Sequence, residues 1–198
     1  MIKIDIRHNI REQAAQLAKL GRELQDKAVA MALNKTADKG KTEMTRAITS
    51  EFNIKASDVR PQLNVRKASA KGINLVALLQ AFASKRKGRS LNLIRFLERK
   101  VTLAEARRRE KRGTLNQLGF QIKKRGGVKQ IKGAFIGNKG RTVFIREGKE
   151  RTPIKSLQTI DVPQMFNTRR INERVVRRIQ KEFPVEFARA VQLLLNRR

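Results

Sequence analysis

The chain of 198 residues has no cysteine, no tryptophan and no tyrosine, one histidine, four prolines and only seventeen acidic residues. Each scarcity removes a class of chemistry. Without cysteine neither disulfide staples nor thiolate metal sites can form, and nothing points to an oxidising compartment, which fits an intracellular origin. With His8 alone, no histidine-based metal site assembles within one chain and no triad has a choice of base, so His8 reads as a surface histidine. The acidic residues are scattered among basic neighbours, with no close carboxylate pair and no D-x-D pattern to hold a divalent ion for phosphoryl or nuclease chemistry. The stretches GFQIKKRGG and GNKGR match neither a phosphate-binding loop nor a dinucleotide fingerprint, and read as turns. The expectation is a protein with no catalytic residues, no metal and no cofactor.

Long apolar runs are missing too. The longest, Leu75 to Ala83, is interrupted by Gln80 and falls far short of the roughly 20 residues of a membrane span. The start, MIKIDIRHNIREQ, alternates apolar and polar residues and lacks the apolar stretch of a signal peptide, so no membrane partner is expected. Stacking on exposed bases has little support, because the nine phenylalanines fall mostly at core-like positions and no RRM, KH or zinc-finger pattern occurs.

What the chain does have is positive charge: 47 Lys and Arg against 17 Asp and Glu, a formal net charge of +30. Solubility alone requires far less, so a polyanion or an acidic surface is the expected neighbour; a merely well-solvated surface is the plain alternative. With 39% apolar residues the chain can still bury a core. Clustered Lys and Arg release counterions from each phosphate they neutralise, which gives salt-sensitive contact with a nucleic-acid backbone without reading its bases. Basic faces docking on acidic proteins would satisfy the same composition.

Hydrophobic period divides the chain. Ile2, Ile4 and Ile6 alternate with polar residues and predict a short edge strand. From Asn9 the period becomes helical through Ile10, Ala14, Leu17, Leu20, Leu24, Ala28 and Met31, and continues to Phe52, with Gly21 and Gly40 as the expected bend or break. Leu17, Leu20, Leu24 and Met31 are candidates for a subunit-interface face, with ordinary intrachain packing as the alternative. Leu63 and Val65 predict a strand, and Ile73 to Ser84 a second, central one.

Residues 85–112 carry twelve Lys or Arg against three Glu, within a basic, partly helical insertion or arm at about 85–118 in which Leu91, Ile94, Leu97, Val101 and Leu103 could line one helical face; an interdomain linker is the alternative. Lys85, Arg86, Lys87, Arg89, Arg107, Arg108, Arg109, Lys111 and Arg112 from this segment, with Lys123, Lys124 and Arg125 beyond it, are candidate contacts to DNA or to an acidic partner. Strands follow at Phe120 and Ile122 and from Ile131, and the GAFIG and TVFIR segments form a hairpin across Gly137 to Gly140, with Gly148 and Pro153 closing the sheet region. Ile171, Val175, Ile179 and Phe183 define a basic amphipathic helix that Pro184 should kink or restart, and Phe187, Val191 and Leu194 continue its face. The fold class expected is α+β: long N-terminal helices and a C-terminal helix on a small, mainly antiparallel sheet, in one domain spanning 1–198.

The order of segments AVAMALNKTADKGKTEMTRAI, FNIKASDVRPQLNVRKAS, KGAFIG, VFIREGKERTPI and VPQMF resembles the prophage minor tail protein Z family from about Ala28 to the C-terminus. The resemblance implies a non-enzymatic virion protein of the neck, completing the head-proximal end of a bacteriophage tail. It implies a homo-oligomeric ring, commonly a hexamer, through which the genome passes and whose subunits contact the tail terminator, the head-completion or connector proteins, or both. The charge excess adds the hypothesis that the basic segment and basic helix faces either line the channel and hold the leading end of the double-stranded genomic DNA, or grip acidic surfaces of the adjoining rings. The alternative on composition is a ribosomal or nucleoid-associated protein, but such chains more often carry basic tails without the apolar periodicity that persists here almost end to end.

Overall fold

The computed structural model describes residues 22–70, 75–82, 91–97 and 118–196. The predicted strand at Ile2 to Ile6, the helical residues before 22, and all of the basic segment except 91–97 and Leu118 lie outside them.

Two long helices carry the fold. Helix α1, Arg22–Glu51, begins in an alanine-rich stretch with high helix propensity and ends in one rich in hydroxyls. Those hydroxyls bond back to the helix's own carbonyls: Thr42 to Asp38 (3.1 Å), Thr45 to Lys41 (2.9 Å), Thr49 to Thr45 (2.9 Å) and Ser50 to Ala47 (2.8 Å). Helix α4, Arg169–Leu195, runs antiparallel to α1. Ala28 and Ala32 face Phe183, Phe187, Ala190, Val191 and Leu194 at one end. Met44, Ala47, Ile48 and Phe52 face Ile171, Val175 and Ile179 at the other.

Gly40, where the sequence predicts a bend or break, lies inside an uninterrupted α1, against Ile179 of the facing helix. A Cβ there would lie 2.9 Å from Cδ1 and 3.2 Å from Cγ1 of Ile179, so the missing side chain is the room that Ile179 fills. Pro184 does not restart α4 either. Apolar residues on both sides of it are buried against α1, and their burial at about 1.5–3 kcal/mol per large side chain outweighs the roughly 3 kcal/mol a helical proline costs.

Small antiparallel pairings surround the helices. After α1 come a short helix α2, Ala56–Val59, and a 3-10 turn, Arg60–Gln62, leading into β1, Leu63–Arg66. Strand β2 is Leu78–Ala81, shorter than the Ile73 to Ser84 strand predicted, and among the described residues it pairs with β1 alone, in a two-stranded ribbon, and is not central. Leu79 is buried in the core and Ala81 packs against it, while Val76 and Phe82 are exposed. Asn34 pins the ribbon to α1, donating to the Ala68 carbonyl (3.0 Å) and accepting from its N–H (2.7 Å).

Residues 91–97 form no α-helix. They are β3, Leu91–Asn92, and a 3-10 turn, Leu93–Phe96, started by the Asn92 side chain accepting from Ile94 N–H (3.1 Å). The same side chain accepts from Val143 N–H (2.9 Å), and Leu91, Leu93 and Phe96 are buried, so this part of the basic segment belongs to the core. Strands β4, Gly119–Phe120, and β5, Lys129–Gln130, pair with each other.

The predicted hairpin is β6, Phe135–Gly137, and β7, Thr142–Arg146, with Asn138 (φ 50°), Lys139 (φ 54°) and Gly140 (φ 82°) all left-handed at its turn. The sheet region does not close at Gly148 and Pro153: β8, Ile154–Ser156, adds a third strand to β7, and β9, Gln158–Thr159, pairs with β3. Ala134 and Val143 sit under this sheet against Leu93, Leu118 and Phe120. Helix α3, Val162–Phe166, opens on a capping box in which Asp161 accepts from Gln164 N–H (2.8 Å) and Gln164 Oε1 accepts from Asp161 N–H (3.2 Å).

Candidate cationic interface

Three acidic side chains of the two helices, Glu43, Glu182 and Glu186, are largely buried and paired between them, while Glu23, Asp38 and Glu173 are exposed. Lys39 on α1 lies between two α4 carboxylates, 2.5 Å from Glu182 and 2.6 Å from Glu186. Arg178 also meets Glu182 (2.9 Å), and Arg189 meets Glu186 (2.7 Å). Hydrogen bonds to Glu182 and then Glu186 raise the Lys39 pKa above its ordinary value. The same bonds hold both carboxyls below theirs, against the opposing effect of desolvation. Glu43 accepts from Arg174 (2.7 Å), and Asp58 pairs with Arg95. The carboxylates thus lock elements together, while many cations are left facing solvent.

Two cationic features result. One is the span from Lys123 to Lys155, where eleven Lys and Arg stand against two Glu, and every one of the eleven is exposed. It contains the β6–β7–β8 sheet, whose buried side faces the core and whose other side carries Phe135 and Phe144 with ring centroids 5.9 Å apart. Arg146 lies 4.9 Å from the Phe135 ring.

The other is a cleft of about 430 Å³ between the end of α1 and the start of α4, lined by Ala47, Ser50, Glu51, Lys123, Arg125, Arg170, Ile171 and Arg174. Its Lys123–Arg125 wall is held by backbone. Asn53 N–H donates to the Ile122 carbonyl (2.8 Å), Lys124 N–H to the Glu51 carbonyl (2.9 Å), and Gly126 N–H to the Lys123 carbonyl (2.9 Å). The Gln121 amide spans the turn, donating to the Lys124 (3.1 Å) and Gly126 (3.0 Å) carbonyls. These bonds satisfy the end of α1 and fix where the three basic side chains emerge. Arg170 and Arg174 lie one turn apart on α4, beside the apolar stripe that anchors it.

Of the residues singled out in the sequence, Lys123 and Arg125 line the cleft, and Lys124 is exposed beside it. Lys85, Arg86, Lys87, Arg89, Arg107, Arg108, Arg109, Lys111 and Arg112 lie outside the described residues, as do Leu17 and Leu20. Leu24 and Met31 are partly buried against the apolar cluster formed with α4 of the same chain. Arg170 and Arg174 were not foreseen. Their signal was present in RRINER, where two arginines four residues apart flank the first buried positions of the helix.

Among the described residues no group of three His, Cys, Asp or Glu is placed to hold a metal ion, and no helix is long and apolar enough to cross a membrane. Residues 10–198 match the family described as Prophage minor tail protein Z (GPZ). The chain therefore belongs to that family, one of structural phage tail proteins and not of enzymes. Comparisons with curated proteins and with solved structures gave no match.

Proposed function

We propose that the chain is a subunit of the head-to-tail junction of the phage particle, joining the completed tail to the head connector and holding the leading end of double-stranded DNA in the channel. The observation that carries this reading is the distribution of charge: Glu43, Glu182 and Glu186 are paired between the two helices, and eleven exposed cations stand against two carboxylates between residues 123 and 155. Exposed cations of this kind can contact a phosphate backbone without reading bases, which suits a station that every genome end must pass.

The proposed assembly is a ring, a hexamer in this reading, seated between the tail terminator and the head-completion proteins, in the virion once assembled and in the host cytoplasm before. Repetition strengthens weak contacts: two phosphates held per subunit would give on the order of ten around the ring, enough for a steep salt dependence. The basic segment at 85–118, read as an insertion in one domain, supplies further contacts through Lys85, Arg86, Lys87, Arg89 and the 107–112 cluster.

The test is complementation of a phage lacking the protein with a chain in which Arg107, Arg108, Arg109, Lys111 and Arg112 are changed to glutamine. Tails that fail to join heads, or particles that lose DNA, are expected. Unchanged infectivity and DNA retention would remove this segment from the proposal, and complete particles assembled without the chain would end the junction reading itself.

A further inference from the structure

We infer that the cleft between α1 and α4 docks an acidic peptide segment of a neighbouring tail protein, while duplex DNA is met by the exposed cations of the β6–β7–β8 region. The inference rests on the proposed role at a junction between protein rings, and it assigns one of the two basic surfaces to protein.

Shape is the first argument. At about 430 Å³ the cleft has the size of a small-ligand site, whereas a DNA duplex has a major groove alone about 12 Å wide and cannot enter it. A side chain projecting from a loop can. Chemistry is the second. The lining is not uniformly cationic: Ala47 and Ile171 supply apolar surface, and Glu51 adds a carboxylate among Lys123, Arg125, Arg170 and Arg174. A phosphate backbone offers only acceptors and has nothing to donate to Glu51. A peptide offers carboxylates to the cations, N–H groups to Glu51 and aliphatic carbon to Ala47 and Ile171, and Arg clusters are a recurrent way of capturing acidic motifs.

Preorganisation is the third. Arg174 is steadied by Glu43 (2.7 Å), and the 121–126 turn is tied to α1 through Glu51 and Asn53, so the cationic walls are set before anything binds. Arg125 and Arg170 form no ion pair with any described residue, which leaves their guanidinium groups available for bidentate contact with carboxylates.

Two variants of the full-length chain that lose equal charge separate place from net charge: Arg125→Ala with Arg170→Ala in the cleft, and Arg141→Ala with Lys149→Ala in the β6–β7–β8 region. Binding of a fluorescein-labelled hexaglutamate peptide and of a 16-base-pair duplex is followed by anisotropy. The cleft pair should weaken the peptide by about fivefold to tenfold and leave the duplex unchanged; the sheet-region pair should do the reverse. Arg170→Gln alone, which preserves packing, guards against loss of folding and should give a smaller effect of the same sign. Equal weakening of the peptide by both pairs, or weakening of the duplex by the cleft pair, would overturn the assignment. Failure of the junction reading would show instead in the particle assay, where the chain would prove dispensable.

Discussion

Replacing Gly40 by alanine pits helix propensity against packing at one atom. In an isolated helix the change stabilises by about 1 kcal/mol. Here the new Cβ would stand 2.9 Å from Ile179 Cδ1, inside the closest approach of two carbons, and Ile179 is itself buried against α1. Overpacking of a filled core costs about 1–3 kcal/mol, so the net effect should be a loss of up to about 2 kcal/mol.

The same geometry predicts how to reverse the sign. Ile179→Ala removes Cδ1 and Cγ1 together and alone should cost about 2–5 kcal/mol. In that background the Gly40→Ala methyl enters vacated space, with Leu79 Cδ2 still at an ordinary 3.8 Å, and should now stabilise by about 1 kcal/mol. Urea midpoints of the four proteins in the cycle measure it. If Gly40→Ala shifts the midpoint by the same amount and sign in both backgrounds, the helices do not approach each other at Gly40 and the account of the seam is wrong.

Two further outcomes follow from the same seam. Thr36 is 2% exposed and its Oγ1 has no hydrogen-bond partner among the described residues, so Thr36→Val, which keeps the shape, should raise the unfolding free energy by about 1 kcal/mol, read as a higher urea midpoint; a clear fall would mean the hydroxyl is satisfied. The Lys39, Glu182 and Glu186 cluster predicts a pH dependence at both ends. The carboxyls are held below their ordinary values, so their stabilisation is present above about pH 4.3 and is lost as pH falls through the lowered folded values. The ammonium is held above 10.5, so its contribution is full below that value and is lost as pH rises through the raised one. Lys39→Met should be least stable relative to the parent at neutral pH, with the gap narrowing in acid; parallel stability curves for the two proteins would refute the cluster's role.

The sequence alone determined the parts whose cause is local. The 3.6-residue period of α1 and α4, the alternation of β1, and the Gly-Asn-Lys-Gly turn of the β6–β7 hairpin are each dictated by neighbours a few positions away, and each lies where the pattern placed it. The lack of cysteine and the single histidine had the same directness, because no fold supplies a missing functional group. Only the tertiary structure decided whether Gly40 ends a helix or seats a neighbour, since that depends on Ile179, which arrives from far along the chain. It also decided that residues 91–97 are strand and 3-10 turn, because Asn92 answers to Val143 and not to its own periodicity. The cleft belongs to the same kind: Lys123 and Arg125 meet Arg170 and Arg174 only because α1 and α4 lie antiparallel, and charge counted along a chain carries no record of which cations converge in space.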